Sequence, residues 1–283
     1  MDRQILKNDF LQIEYLTNAL RIMALTPAGK TNLLADMSAA PPLPTPYGDF
    51  RFLGGHRLWH APEAMPRTYI PDTPVTVTEI PNGVLLEAQT ELGTGIRKRI
   101  EIQLTADQPS VTLKHTLIND GLWAVELAPW AITQFRLGGV AILPLQTEQV
   151  DEAGLLPNRQ LSFWTYSRLD DPRLSLRDDF ILFHAEALPP FKIGYFNPHG
   201  WLGYYMDGVL FKKKFNAQNY AAYPDNNSNA ELYGDNRFVE LESLAPLMKL
   251  KPGAEVHHQE TWEVFEGLAS LPNDVQNAIS ASL

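Results

Sequence analysis

The sequence predicts an all-β protein of antiparallel sheets, on three observations. Short runs with strand patterning recur from one end of the 283-residue chain to the other. Turn-forming residues separate them at sandwich-like spacing. Helical periodicity is scarce, with one short terminal candidate from Pro272 to Leu283, where Asn273 or Asp274 would cap an amphipathic turn.

Taken in order, Phe10–Leu16, Leu20–Leu25 and Asn32–Asp36 read as a meander, divided by Thr17-Asn18 and by Pro27–Gly29. Val75–Ile80, Val84–Thr90, Ile96–Leu104 and Val111–Asn119 follow, with turns at Pro81-Asn82-Gly83, Gly93–Gly95 and Ala106–Pro109. Leu122–Leu145 is apolar enough to raise a membrane span. However, Glu126, Gln134, Arg136, Pro129, Pro144 and the pair Gly138-Gly139 suit two buried strands joined at the glycines better. Pro41–Pro46 and Arg168–Asp179 are connections rather than linkers, because strand patterns of one type continue on both sides. One domain over residues 1–283 is expected, with a sandwich core at about 5–266 and a short tail at 267–283.

Lys and Arg number 23 against 33 Asp and Glu, a formal charge of -10, which repels nucleic acid and anionic lipid and favours neutral or cationic ligands. Cysteine is absent, which removes disulfides, thiolate metal sites and thiol nucleophiles. The N-terminal residues carry Asp2, Asp9 and Glu14 and no uninterrupted apolar run, so a cytoplasmic protein is expected. No metal or other cofactor is called for. His257-His258 is a poor ligand pair, because neighbours on a strand point to opposite faces. A nucleophile elbow, a phosphate loop and a dinucleotide fingerprint are all missing.

The residues that could carry chemistry are scattered. In Phe238–Leu244, alternation sends Glu240 and Glu242 to one face and Val239 and Leu241 to the other, so two carboxyls share a surface. A water-facing pair is the plain reading and a paired site the functional one. In Gly54-Gly55-His56-Arg57-Leu58-Trp59-His60, paired glycines lead into an imidazole, a guanidinium and an indole, a set suited to sugar hydroxyls and the C–H face of a pyranose. A structural turn with His56 and Arg57 paired to acids is the alternative. Lys213 sits between Phe211 and Phe215 and is expected to enter a pocket, whereas a solvated strand end is the usual reading of three lysines in a row. Asn229, Glu231 and Tyr233 share one side of a further strand.

The C-terminal pattern, Leu241-Glu242-Ser243 with Pro246, then Leu250-Lys251-Pro252-Gly253-Ala254-Glu255 and Glu260-Thr261-Trp262-Glu263-Val264-Phe265, resembles that of aldose 1-epimerases, the galactose mutarotases. GGHRLW, APWAITQF and the ELES strand together resemble an uncharacterised mutarotase-like branch over nearly the whole chain. The resemblance implies a large antiparallel β-supersandwich of the galactose mutarotase type, with few short helices and a monosaccharide on its concave face. It implies interconversion of the anomers of a sugar or sugar derivative, with Glu242 as general base and a histidine as acid. The matching strand, Leu127–Phe135, holds Trp130 and Gln134 and no histidine. His56 is then the first candidate acid, with His199 and His184 behind it, His184 reading as a core residue. Arg57, Trp59, Trp130, Lys213, Glu231 and Glu240 are expected to bind the sugar. The alternative is a carbohydrate-binding protein without catalysis, and in either case the partner is a small sugar and the chain a monomer or homodimer. His56, Arg57, Lys213, Glu231, Glu240 and Glu242 should converge on one concave face.

Overall fold

The computed structural model describes residues 2–269 and 271. Every pairing between strands is antiparallel, and two ten-stranded sheets carry nearly all of them. The first sheet runs β1 (Arg3–Lys7), β2 (Leu11–Leu16), β3 (Ile22–Pro27), β6 (His56–Ala61), β11 (Val125–Phe135), β20 (Val239–Leu244), β19 (Ala230–Gly234), β16 (Phe191–Tyr195) and β13 (Leu161–Phe163). Its tenth strand, β21 (Met248–Leu250), pairs with the start of β11. The second runs β14 (Leu174–Leu176), β15 (Phe180–His184), β12 (Val140–Pro144), β17 (Trp201–Met206), β18 (Val209–Phe215), β22 (Glu255–Glu266), β10 (Ser110–Asn119), β9 (Ile96–Leu104), β8 (Gly83–Ala88) and β7 (Val75–Ile80). A hairpin of β4 (Leu43–Thr45) and β5 (Gly48–Phe50) stands apart, and the described residues hold one helical turn, α1 (Pro224–Asn227).

The sheets pack face to face. Leu113, Leu117 and Val264 of the second sheet meet Leu58, Leu232, Val239 and Leu241 of the first in one continuous core. Alternation therefore gives the first sheet an inner face, towards that core, and an outer face. The outer face is also covered. Phe50, from the β4–β5 hairpin, packs with Trp59, Trp130, Ile132 and Leu244 in a separate apolar cluster.

Most expected strands are present, and Leu122–Leu145 is indeed two strands meeting at the Gly138-Gly139 turn. No helix among the described residues is long and apolar enough to cross a membrane. Asn32–Asp36 is not a strand, since only isolated bridges form at Leu34 and Asp36. Its Asn32 Oδ1 accepts the backbone N–H groups of Leu25 and Leu34, diverting donors that a ladder would use. The helical candidate Pro272–Leu283 lies outside the described residues.

Candidate functional site

Register assembles the site from remote segments. Across the outer face, Arg57 of β6, Ile132 of β11, Glu242 of β20 and Glu231 of β19 form one row, with Gly194 of β16 at its end. Trp59, Trp130 and Leu244 lie in the row on one side. Gln134, Glu240, Tyr233 and Lys192 lie in the row on the other. Gly54 and Gly55 let β6 begin where it does. Gly55 has φ +66° and a Cβ there would stand 2.0 Å from the Ile22 carbonyl oxygen, so only glycine lets β3 approach this closely. Gly194 similarly leaves room for Glu231, whose Cγ would be 3.2 Å from an added Cβ.

Above these rows is a cavity of about 450 Å³, within the range of small-molecule sites. Arg57, Trp59, Trp130 and Ile132 supply its floor and one wall. Glu63 and Tyr69 come from the segment after β6, with Tyr69 donating its hydroxyl to Glu63. Trp164 and Tyr166 close over from the segment after β13, and Lys192, Tyr233, Phe238 and Glu240 complete the far wall. None of the lining residues is a histidine.

Charges at the site are paired. Arg57 donates from Nη2 to Glu240 Oε1 at 3.0 Å and lies over the Trp59 ring at 4.2 Å. Lys192 Nζ donates to Glu242 Oε2 at 3.0 Å and stands 2.8 Å from Glu231 Oε2, an ion pair without hydrogen-bond alignment. The same ammonium faces the rings of Trp130 at 4.6 Å and Trp164 at 4.7 Å. Trp130 Nε1 donates to Glu242 Oε2 at 2.7 Å, while Glu242 Oε1 has no partner.

Burial alone would lower the Lys192 ammonium, but Glu231 and Glu242 outweigh it and hold the group well above its usual value. Glu231 is pushed well up, by burial first, with Glu242 and Asp225 adding repulsion that Lys192 only partly offsets. Lys192 is the one ammonium between these two carboxyls, and Glu242 Oε2 accepts two hydrogen bonds, from Lys192 and from Trp130. Burial raises Glu240 to about 7 against the pull of Arg57. Asp225, raised by burial, sits beside Glu231 in a turn whose residues 225–227 all have positive φ.

Six of the eight expected residues share this outer face: Arg57, Trp59, Trp130, Glu231, Glu240 and Glu242. Neither acid of β20 faces open water, since Glu240 is 6% and Glu242 0% exposed. Glu242 does not line the cavity, because Lys192 and Trp130 cover it. His56 and Lys213 are corrections. His56 adjoins Arg57 on a strand, so it must point the other way, into the space between the sheets, where Lys213 meets it from β18. His184 is exposed at the end of β15 rather than in the core, and His199 is held in its loop by the Leu145 carbonyl.

The inner cluster is a closed hydrogen-bond network. His115 Nδ1 donates to the His258 carbonyl at 3.0 Å, which leaves His115 Nε2 to accept from His56 Nε2 at 2.8 Å. His56 Nδ1 then accepts from the Thr133 hydroxyl at 2.9 Å, and Thr133 accepts from Lys213 Nζ at 3.1 Å. Lys213 also donates to the carbonyls of Ala131 and Leu241 and pairs with Glu260 at 2.8 Å. His56, His115 and Glu260 are spaced like metal ligands, within 4.8 Å of one another, yet the cation seated on Glu260 is Lys213.

The sequence reading missed Lys192, Glu63, Tyr69, Trp164, Tyr166 and Phe238. Lys192 carried the signal that drew attention to Lys213, a lysine inside an apolar strand, FKIGY.

No protein-family model matches this chain, and no curated protein matches it. Solved structures do. A galactose mutarotase-like protein from Lactobacillus casei aligns with a TM-score of 0.64 at 10% identity, over 93% of this chain and 100% of that one. A candidate aldose 1-epimerase from Klebsiella pneumoniae aligns with a TM-score of 0.65 at 11% identity, over 97% of this chain and 81% of that one. A TPR-domain containing protein from Parabacteroides distasonis aligns with a TM-score of 0.63 at 14% identity over 95% of this chain, which spans about half (49%) of that protein. Identities this low carry the fold, which is the antiparallel β-supersandwich of galactose mutarotase-like proteins.

Proposed function

We propose that the outer-face cavity binds a neutral monosaccharide or sugar derivative. One observation carries this reading: aromatic walls stand over a floor whose cations and carboxyls are already paired with one another. Indole and phenol rings suit the C–H faces of a pyranose. The paired groups suit hydroxyls, which donate and accept without bringing charge. Solved structures of the same fold include proteins named for mutarotation, which supports a carbohydrate in preference to other neutral ligands.

The second reading is anomer interconversion with Glu242 as general base, favoured by its unpartnered Oε1. Against it stand the absence of histidine from the cavity lining and the cover that Lys192 and Trp130 place over Glu242. Kinship with a GGHRLW-marked branch belongs to the same proposal.

Calorimetry or saturation-transfer NMR over a panel of neutral aldoses and their methyl glycosides tests the binding. At least one should bind, and Arg57→Ala or Trp59→Ala should weaken it about tenfold, the equivalent of ~1.4 kcal/mol. Absence of binding to every mono- and oligosaccharide tried would remove the reading.

A further inference from the structure

We propose that Glu240, and not Glu242, is the catalytic residue of this pocket, its Oε2 carrying one proton between the anomeric and ring oxygens of a bound aldose. The inference rests on the carbohydrate reading above and assigns it a reaction through a single carboxyl.

Access separates the two acids. Glu242 is fully buried, and its Oε2 is held by the Trp130 indole and the Lys192 ammonium, which face the cavity in its place. Glu240 lines the cavity itself. Its Oε1 is fixed by Arg57, whose guanidinium is in turn fixed over Trp59, while Oε2 accepts no hydrogen bond among the described residues. One oxygen is anchored and the other is left for a ligand. Opposite Glu240 in the register, the buried amide of Gln134 has neither its nitrogen nor its oxygen partnered, so this end of the row is polar and incompletely satisfied.

The chemistry balances with one proton. Oε2 takes the proton of the anomeric hydroxyl, and the O–H electron pair becomes the second bond of the C1 carbonyl. The C1–O5 pair withdraws onto O5, which receives the proton from Oε2. Rotation about C1–C2 in the open aldehyde and the reverse sequence close the ring on its other face. The two sugar oxygens share one carbon, so one carboxyl oxygen reaches both without a histidine opposite.

A carboxyl near 7 suits a shuttle that must accept and release a proton at neutral pH. The charged and titratable groups that face it are Arg57 from β6, Arg21 beside Arg57, Glu242 on its own strand and Lys192 from β16. Tyr233 of β19, Tyr69, Tyr166 and Arg237 complete the surroundings, with Lys213 behind the sheet.

The test is anomer exchange followed by NMR with α- and β-D-glucose and D-galactose and the aldoses found to bind, alongside calorimetry. Wild type should accelerate exchange in proportion to protein concentration, along a rate that rises through one ionisation near pH 7. Glu240→Gln should lose at least about 100-fold in exchange at saturating aldose, where weaker binding does not enter, and should lose the ionisation. Glu240→Asp, which keeps the charge opposite Arg57, guards against a folding defect and should retain part of the rate. The loss in Glu240→Gln should exceed that in Glu242→Gln at least tenfold. Binding without exchange in wild type would overturn the proposal and leave the binding reading intact. Exchange that survives Glu240→Gln but not Glu242→Gln would move the role to Glu242. Absence of any aldose binding would remove both.

Discussion

Lys192 sets the charge balance of the pocket, because it is the ammonium paired with Glu242 and Glu231. Removing one partner of a buried ion pair strands the other, at a cost of about 3–5 kcal/mol. Lys192→Met should therefore lower stability by that order. A buried carboxylate stranded in this way is tolerated better once protonated, so the loss should be larger at pH 8 than at pH 5. Denaturant unfolding of both proteins at the two pH values measures this, and an equal loss at both would show that the variant strands no carboxylate charge. The same residue shows how legibility fails at this scale. A lysine inside an apolar strand announces burial, but it does not announce what it faces. Lys213 and Lys192 carry the same signal, and one belongs to the inner network and the other to the pocket.

At the scale of strands, alternation was the most reliable guide. It placed Glu240 with Glu242, separated Lys213 from Lys212 and Lys214, and marked the runs that became β7 and β9 with their observed bounds. It could not say which face of a strand is inner when both faces are covered, as in His56–Ala61, where all six residues are buried. Grouping His56 with Arg57 broke the alternation rule that had already excluded His257-His258, so that error was avoidable from sequence. The cavity's upper wall was not legible, since Trp164, Tyr166 and Tyr69 lie in segments without periodicity. Behind the site, Lys213 joins β11 to β20 through the carbonyls of Ala131 and Leu241, which bracket Ile132 and Glu242. Lys213→Met and Glu260→Gln should each destabilise by several kcal/mol, about 3–5 for a stranded buried charge. The double variant Lys213→Met/Glu260→Gln should lose much less than the sum. A double-mutant cycle from urea unfolding reads this, and additive losses would mean the pair is not energetically coupled.

Across the whole molecule, buried titratable groups act on stability in opposite directions. His56, His60, His115 and His258 are all lowered, chiefly by burial, His258 to about 3. Unfolded imidazoles bind protons below about pH 6.5. The unfolded state then holds more protons than the folded one, so stability falls as pH drops from 6.5 towards 3. Glu231 and Glu240 are raised, and an unfolded glutamate ionises near 4.3 while folded Glu240 does so only near 7. Here the folded state holds the extra proton, so their contribution is present below the unfolded pKa and lost as pH rises through the folded one. Between about 4.5 and 6.5 four imidazoles act against two carboxyls, so the imidazoles prevail and stability still rises with pH. Below that window carboxyls lowered in the fold, Glu91 to about 2 and Glu260 likewise well down, add their loss to that of the imidazoles, and above it the raised carboxyls act, each unmatched proton changing stability by ~1.4 kcal/mol per pH unit. The expected profile is a maximum at about pH 6.5, where half of the unfolded imidazoles are protonated and balance the two carboxyls, with a steep acid limb and a shallower alkaline one. Urea midpoints from pH 4 to 9 trace it. Glu231→Gln should flatten the alkaline limb and leave the acid limb in place, whereas stability that climbs steadily to pH 9 would mean that Glu231 and Glu240 are ionised in the folded protein at neutral pH.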